Sequence, residues 1–105
     1  MRALAVLLIV LSVALWRYSP GAAADGETAR GAALVHACAA CHGPNGRSQG
    51  AIPSLVTLSP EEVIAALKAF RTETRKGTVM TLIARGLDEA DINAVAAYVA
   101  TLRGR

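Results

Sequence analysis

Cys38-Ala39-Ala40-Cys41-His42 sets two thiols three positions apart, with a histidine directly after the second. On one helical turn that spacing brings both sulfurs to one side. There they reach the two vinyl groups of a single porphyrin, and the histidine that follows lies beneath the ring, where its imidazole can ligate iron. Cys-x-x-Cys-His is for this reason the attachment signature of a c-type haem. Two other readings use the same cysteines: a redox disulfide of the thioredoxin type, and half of a zinc site. The first needs a βαβ pattern, and no stretch of the chain alternates as a strand does. The second wants four ligands, and beyond the motif the chain adds only His36 and carboxylates. The trailing histidine favours one haem, held covalently through Cys38 and Cys41, with His42 on the iron.

The first residues agree with that chemistry. Met1-Arg2 gives a short positive start, and residues 3–16 are apolar except for Ser12. Ser19-Pro20-Gly21 breaks a helix, and Ala22-Ala23-Ala24 supplies the small residues that a signal peptidase reads. Residues 1–24 therefore read as a secretory signal peptide cut after Ala24, leaving a haem domain at residues 25–105. An uncleaved membrane anchor is the alternative, but spanning takes about 20 apolar residues, and this run stops at Arg17. Haem is joined to such a motif after export, so a bacterial periplasm is the expected location.

The chain of 105 residues is enough for one small domain. Its formal charge of +3 falls to +1 without Arg2 and Arg17. The remaining cations form no block with interleaved aromatics, so nothing suggests a nucleic-acid surface. After residue 24 the only aromatic residues are Phe70 and Tyr98. So small a domain buries little apolar surface unaided, and a macrocycle at its centre would make up the deficit.

Residues 25–37 read as an Ala-rich helix running into the motif. Gly31 inside it costs about 1 kcal/mol relative to Ala, which calls for a close approach by another helix. His36 sits on the same helix as His42, cannot reach the opposite face of a ring held there, and is expected in solvent. Gly43-Pro44-Asn45-Gly46 is a turn. The loop after it brings Ile52, Leu55 and Val56 as candidate walls. It also brings Pro53, near which a backbone carbonyl can accept the Nδ1 proton of His42.

Ser59-Pro60-Glu61-Glu62 starts a helix with a cap, a proline at the first position and a capping-box glutamate. Val63, Ile64, Leu67 and Phe70 then line one face and are expected as plain core. Arg71, Arg75 and Lys76 follow in a polar loop, either solvated or near the edge of a bound group. Met80, expected in a loop after that helix, is the only methionine after Met1. A lone methionine is usually core filling, but iron held by His42 needs either a sixth ligand or an open site, and Met80 is the expected axial ligand. A short helical turn over residues 81–85 ends at Gly86. Asp88 caps a last helix whose Ile92, Val95, Val99 and Leu102 form an amphipathic face.

This order of helix, Cys-x-x-Cys-His-Gly, loop with proline, helix, methionine and last helix with Tyr98 resembles the small single-haem class I cytochromes c. The resemblance implies an all-α fold of about four helices around one covalent haem c. It also implies that Gly31 and Tyr98 meet where the first and last helices cross, and that His42 and Met80 are the two axial ligands. The runs 38–43, 48–55, 65–71, 78–80 and 83–86 look more narrowly like the cytochrome subunit of a flavocytochrome c sulfide dehydrogenase. That likeness implies a periplasmic electron acceptor, with no catalytic site of its own, for a flavoprotein partner. The alternatives are an acceptor for another periplasmic dehydrogenase, such as a sulfite dehydrogenase, and a ligand-binding haem protein with an open iron site. Membrane association is expected only if the signal segment is retained.

Overall fold

The computed structural model describes residues 21–105. The apolar stretch expected as an export signal, residues 1–20, lies outside the described residues. Helix α1 spans Gly21–His42, and a short 3-10 turn follows at Pro44–Gly46. Helices α2, Pro60–Arg71, α3, Val79–Arg85, and α4, Glu89–Leu102, complete the order. No strand occurs among the described residues. The fold is the expected all-α arrangement of four helices, with α1 and α2 both packed on α4, and α3 on α2.

Local chemistry explains most of the boundaries. The Ser59 hydroxyl accepts from the Glu62 N–H at 3.1 Å, and the Glu62 carboxylate accepts from the Ser59 N–H at 2.7 Å. These two bonds satisfy donors that a helix start leaves free. Asp88 and Asp91 make the same reciprocal pair at α4, at 2.8 and 3.1 Å. At the turn after α1, Gly43 and Gly46 take φ of 86° and 70°. A Cβ on Gly43 would also fall onto the Arg47 carbonyl group, so both glycines answer a backbone requirement.

Two expected bounds move. α1 starts before Asp25 and continues without a break through the motif to His42, so both thiols and the histidine stand on one continuous helix. α3 starts at Val79, which puts Met80 in the first turn of a helix and not in a loop.

The core gathers Val35, Val56, Val63, Leu67, Ile92, Val95, Val99 and Leu102. The expected stripe of α4 is thus buried along its whole length. α1 crosses α4 at Gly31, which is buried. A Cβ built there would fall on the Ala94 carbonyl oxygen and 2.9 Å from Tyr98 Cβ. The missing side chain lets the two backbones touch, as expected of Gly31 and Tyr98. Beside the crossing the Arg30 guanidinium grips the Asp91 carboxylate, with Nε and Nη2 at 2.7 and 2.6 Å. A second tie joins α2 to α4, where Arg71 donates to Glu89 at 2.6 Å and to the Leu87 carbonyl at 3.2 Å.

Candidate functional site

One cleft of about 660 Å³ opens beside the motif, within the range of about 300–1,000 Å³ usual for cofactor and ligand pockets. Cys38, Cys41 and His42 line it from α1, and Met80 and Ile83 from α3. Ile52, Pro53 and Leu55 contribute from the intervening loop, and Val63, Leu67 and Phe70 from α2. All four residues singled out from the sequence therefore border the same space.

Neither cysteine takes part in a disulfide. Cys41 is exposed and Cys38 half-buried, with its Sγ 3.4 Å from the Leu34 carbonyl oxygen. Burial pushes the Cys38 thiol above its ordinary value, and Cys41 beside it pushes the same way. His42 is buried, with 8% of its surface exposed. Its Nδ1 lies 2.6 Å from the Pro53 carbonyl oxygen. A carbonyl can only accept, so Nδ1 carries the proton and donates. That assignment leaves Nε2 as the nitrogen with a lone pair for a metal. Met80 is half-buried and packs on the core.

The loop that carries Pro53 is held at both ends. Leu55 N–H donates to the Gly46 carbonyl at 2.8 Å, and Ser48 N–H to the Ser54 hydroxyl at 2.8 Å. Arg103, at the end of α4, donates to the carbonyls of Val56 at 3.0 Å and Thr57 at 3.3 Å. Arg47 reaches back from the loop to the Leu102 carbonyl at 3.3 Å. These contacts across the chain were not legible in the sequence, where the arginines had no evident partners.

Several expectations change in detail. Val56 is buried in the core and is not a wall of the cleft. The α2 stripe, expected as plain core, has two duties: Val63 and Leu67 belong to the core and also line the cleft. Phe70 lines the cleft half-buried, with the Arg75 guanidinium 4.6 Å from its ring centroid. Of the three cations in the following loop, Arg75 and Lys76 border the cleft, while Arg71 turns away to Glu89. His36 is exposed, as expected.

The residues fit a porphyrin. Apolar walls, two cysteines three residues apart on one helix, and an imidazole with its Nδ1 already engaged match what a covalently held haem needs. The described residues hold no cluster of three or more His, Cys, Asp or Glu side chains able to bind a metal ion. No described helix is long and apolar enough to cross a membrane.

Comparison with known proteins agrees with this geometry. Residues 28–103 match the family described as Cytochrome c. The chain is 40% identical over 73 residues to the cytochrome subunit of sulfide dehydrogenase of Chlorobaculum tepidum, covering 70% of this chain and 66% of that protein. It is 37% identical over 90 residues to cytochrome c-554(547) of Halothiobacillus neapolitanus, covering 74% of this chain and 99% of that one. It is also 41% identical over 69 residues to the thiosulfate dehydrogenase electron acceptor of Stutzerimonas stutzeri, covering 62% of this chain but 32% of that protein.

Proposed function

Because this chain belongs to the cytochrome c family of electron carriers with covalently bound haem c, we propose that it serves as the electron-accepting cytochrome of a sulfide-oxidising flavoprotein in the periplasm. In this reading Cys38 and Cys41 hold the haem through thioethers, and His42 and Met80 are the axial ligands of the iron. The observation that carries it is the meeting of all four residues around one apolar cleft.

When bound, the haem supplies one reversible iron-centred electron. Each protein group has a part in making that exchange easy. The thioethers of Cys38 and Cys41 keep the group in place through both oxidation states. The Pro53 carbonyl holds the His42 imidazole in one tautomer and one orientation and raises its basicity as a ligand. The Met80 thioether, which also lines the cleft, would serve as the second iron ligand and favour the reduced form. Val63, Leu67, Ile52, Leu55 and Ile83 give the cleft an apolar lining. With His42 and Met80 both on the iron, the haem would exchange electrons without binding a substrate at the metal.

The name of the Chlorobaculum relative supports the choice of partner, and the runs 48–55, 78–80 and 83–86 carry the same likeness. An acceptor for another sulfur-oxidising dehydrogenase is the alternative, and the Stutzerimonas relative's name supports it. Stopped-flow mixing of the oxidised cytochrome with a sulfide-oxidising flavoprotein and sulfide separates them. Fast formation of ferrous haem with the flavoprotein, and little without it, is the expected result. Equal reduction by a sulfite-oxidising molybdenum enzyme would remove the assignment of partner and leave the electron carrier. The net charge of +1 expected after signal removal gives weak long-range steering, so the rate should vary only mildly with salt.

A further inference from the structure

Thr81 follows Met80 directly, yet its side chain is buried, with 5% of the residue exposed. Its hydroxyl donates to the Gly77 carbonyl at 2.7 Å. Successive helix residues diverge by about 100°, so Met80 lines the cleft while its neighbour points inward. Beyond its packing on α2 and the exposed Arg85–Glu73 ion pair at 2.8 Å, α3 is held by few buried side chains. Only Thr81 and Ala84 of its seven residues are buried, and Val79, Leu82 and Ile83 are exposed. Thr78 at its start makes no side-chain cap, and a helix of two turns is not stable by itself.

The acceptor of the Thr81 bond is itself pinned. A Cβ built on Gly77 would meet the Phe70 ring at 2.8 and 3.0 Å and Met80 Cβ at 3.6 Å. Gly77 thus lies against Phe70 on one side and Met80 on the other. Phe70 is anchored in α2 and covered by Arg75. The turn that presents Met80 is therefore closed by two contacts: Gly77 against the Phe70 ring, and the Thr81 hydroxyl on the Gly77 carbonyl.

We propose that Thr81 is a positioning residue for the axial methionine: its hydroxyl locks residues 77–80 in the turn that aims the Met80 thioether into the cleft. This rests on the reading of Met80 as an iron ligand. Without the hydroxyl the turn opens more often, and the iron is more often free for another ligand. The helix gains nothing in general from such a bond, since threonine bonded back to the preceding turn is neutral or slightly unfavourable to helices. The benefit falls on the geometry of the turn.

Imidazole competes with methionine for ferric iron, so its affinity for the holoprotein reports how often Met80 lets go. Thr81→Val, which keeps the shape and removes the hydroxyl, should bind imidazole about fivefold more tightly, the equivalent of one hydrogen bond of about 1 kcal/mol. Thr81→Ser should behave as wild type. Val99→Ala, a core change in a different helix, α4, should lose stability with no change in imidazole affinity. If Thr81→Val does not accumulate with haem attached, Thr81→Ala replaces it in the same titration. Wild-type affinity in the variant without the hydroxyl would overturn the proposal, and so would an equal gain in Thr81→Ser or Val99→Ala. Met80→Ala separates the two levels of inference. It should bind imidazole more tightly than any of these, and if it does not, the reading of Met80 as a ligand falls first.

Discussion

His42 and Pro53 are joined by a hydrogen bond of 2.6 Å, from the imidazole Nδ1 to a backbone carbonyl eleven residues on. It decides which ring nitrogen faces the cleft. A carbonyl acceptor on Nδ1–H makes the other nitrogen a stronger donor to a metal and so favours ferric iron. Pro53→Gly, which leaves the carbonyl but frees the backbone that aims it, should weaken this bond and raise the reduction potential. A redox titration of the two holoproteins checks it, and an unchanged potential would show that the bond has no electronic effect.

At the helix crossing, Gly31 has no room for a side chain. Alanine there would recover about 1 kcal/mol of helix propensity, but its Cβ would overlap the Ala94 carbonyl, which is backbone and cannot turn aside. Gly31→Ala is therefore expected to melt at lower denaturant than wild type. Gly31→Val should melt lower still, at an overpacking cost of about 1–3 kcal/mol. Equal midpoints for wild type and Gly31→Val would refute the close approach.

Acid should loosen the same crossing through Asp91. The Asp88 N–H and the Arg30 guanidinium hold the Asp91 carboxyl below its usual range. A carboxyl so shifted binds protons less readily in the folded chain than in the unfolded one. Its contribution is complete above the unfolded value, about 3.9 for aspartate, and is lost as the pH falls through the lower folded value. Thermal melts should thus fall on acidification below about pH 4. Asp91→Asn should start lower at neutral pH and fall less steeply. Parallel curves for the two proteins would mean that Asp91 is not the titrating group.

Maturation offers a covalent test of the site. We expect protein expressed through a periplasm to have the mass of the chain from Asp25 with one haem added. Peptide mapping should place that haem on Cys38 and Cys41. Haem released by acid–acetone extraction would exclude the thioethers.

The sequence by itself determined what depends on neighbours within a turn or two. The spacing of Cys38, Cys41 and His42, the capping pairs at Ser59 and Asp88, and the apolar face of α4 are short-range patterns, and they specified the haem motif, the helix starts and the buried side. Met80 stood out as the lone methionine available to an iron in need of a sixth ligand, and the resemblance to class I cytochromes c, carried by the wider order of these motifs, paired Gly31 with Tyr98. Tertiary structure alone decided the contacts that join distant segments. Which carbonyl receives the His42 proton depends on how the loop over residues 47–57 closes, and that loop is fastened by Arg103 from the far end of the chain. Whether the α2 stripe is core or cleft wall depends on where α3 leaves a gap beside it. The direction of the Thr81 hydroxyl depends on Gly77 resting against Phe70. A pattern in the chain can show that a helix has an apolar face, but what that face meets is set only when the other segments have packed against it.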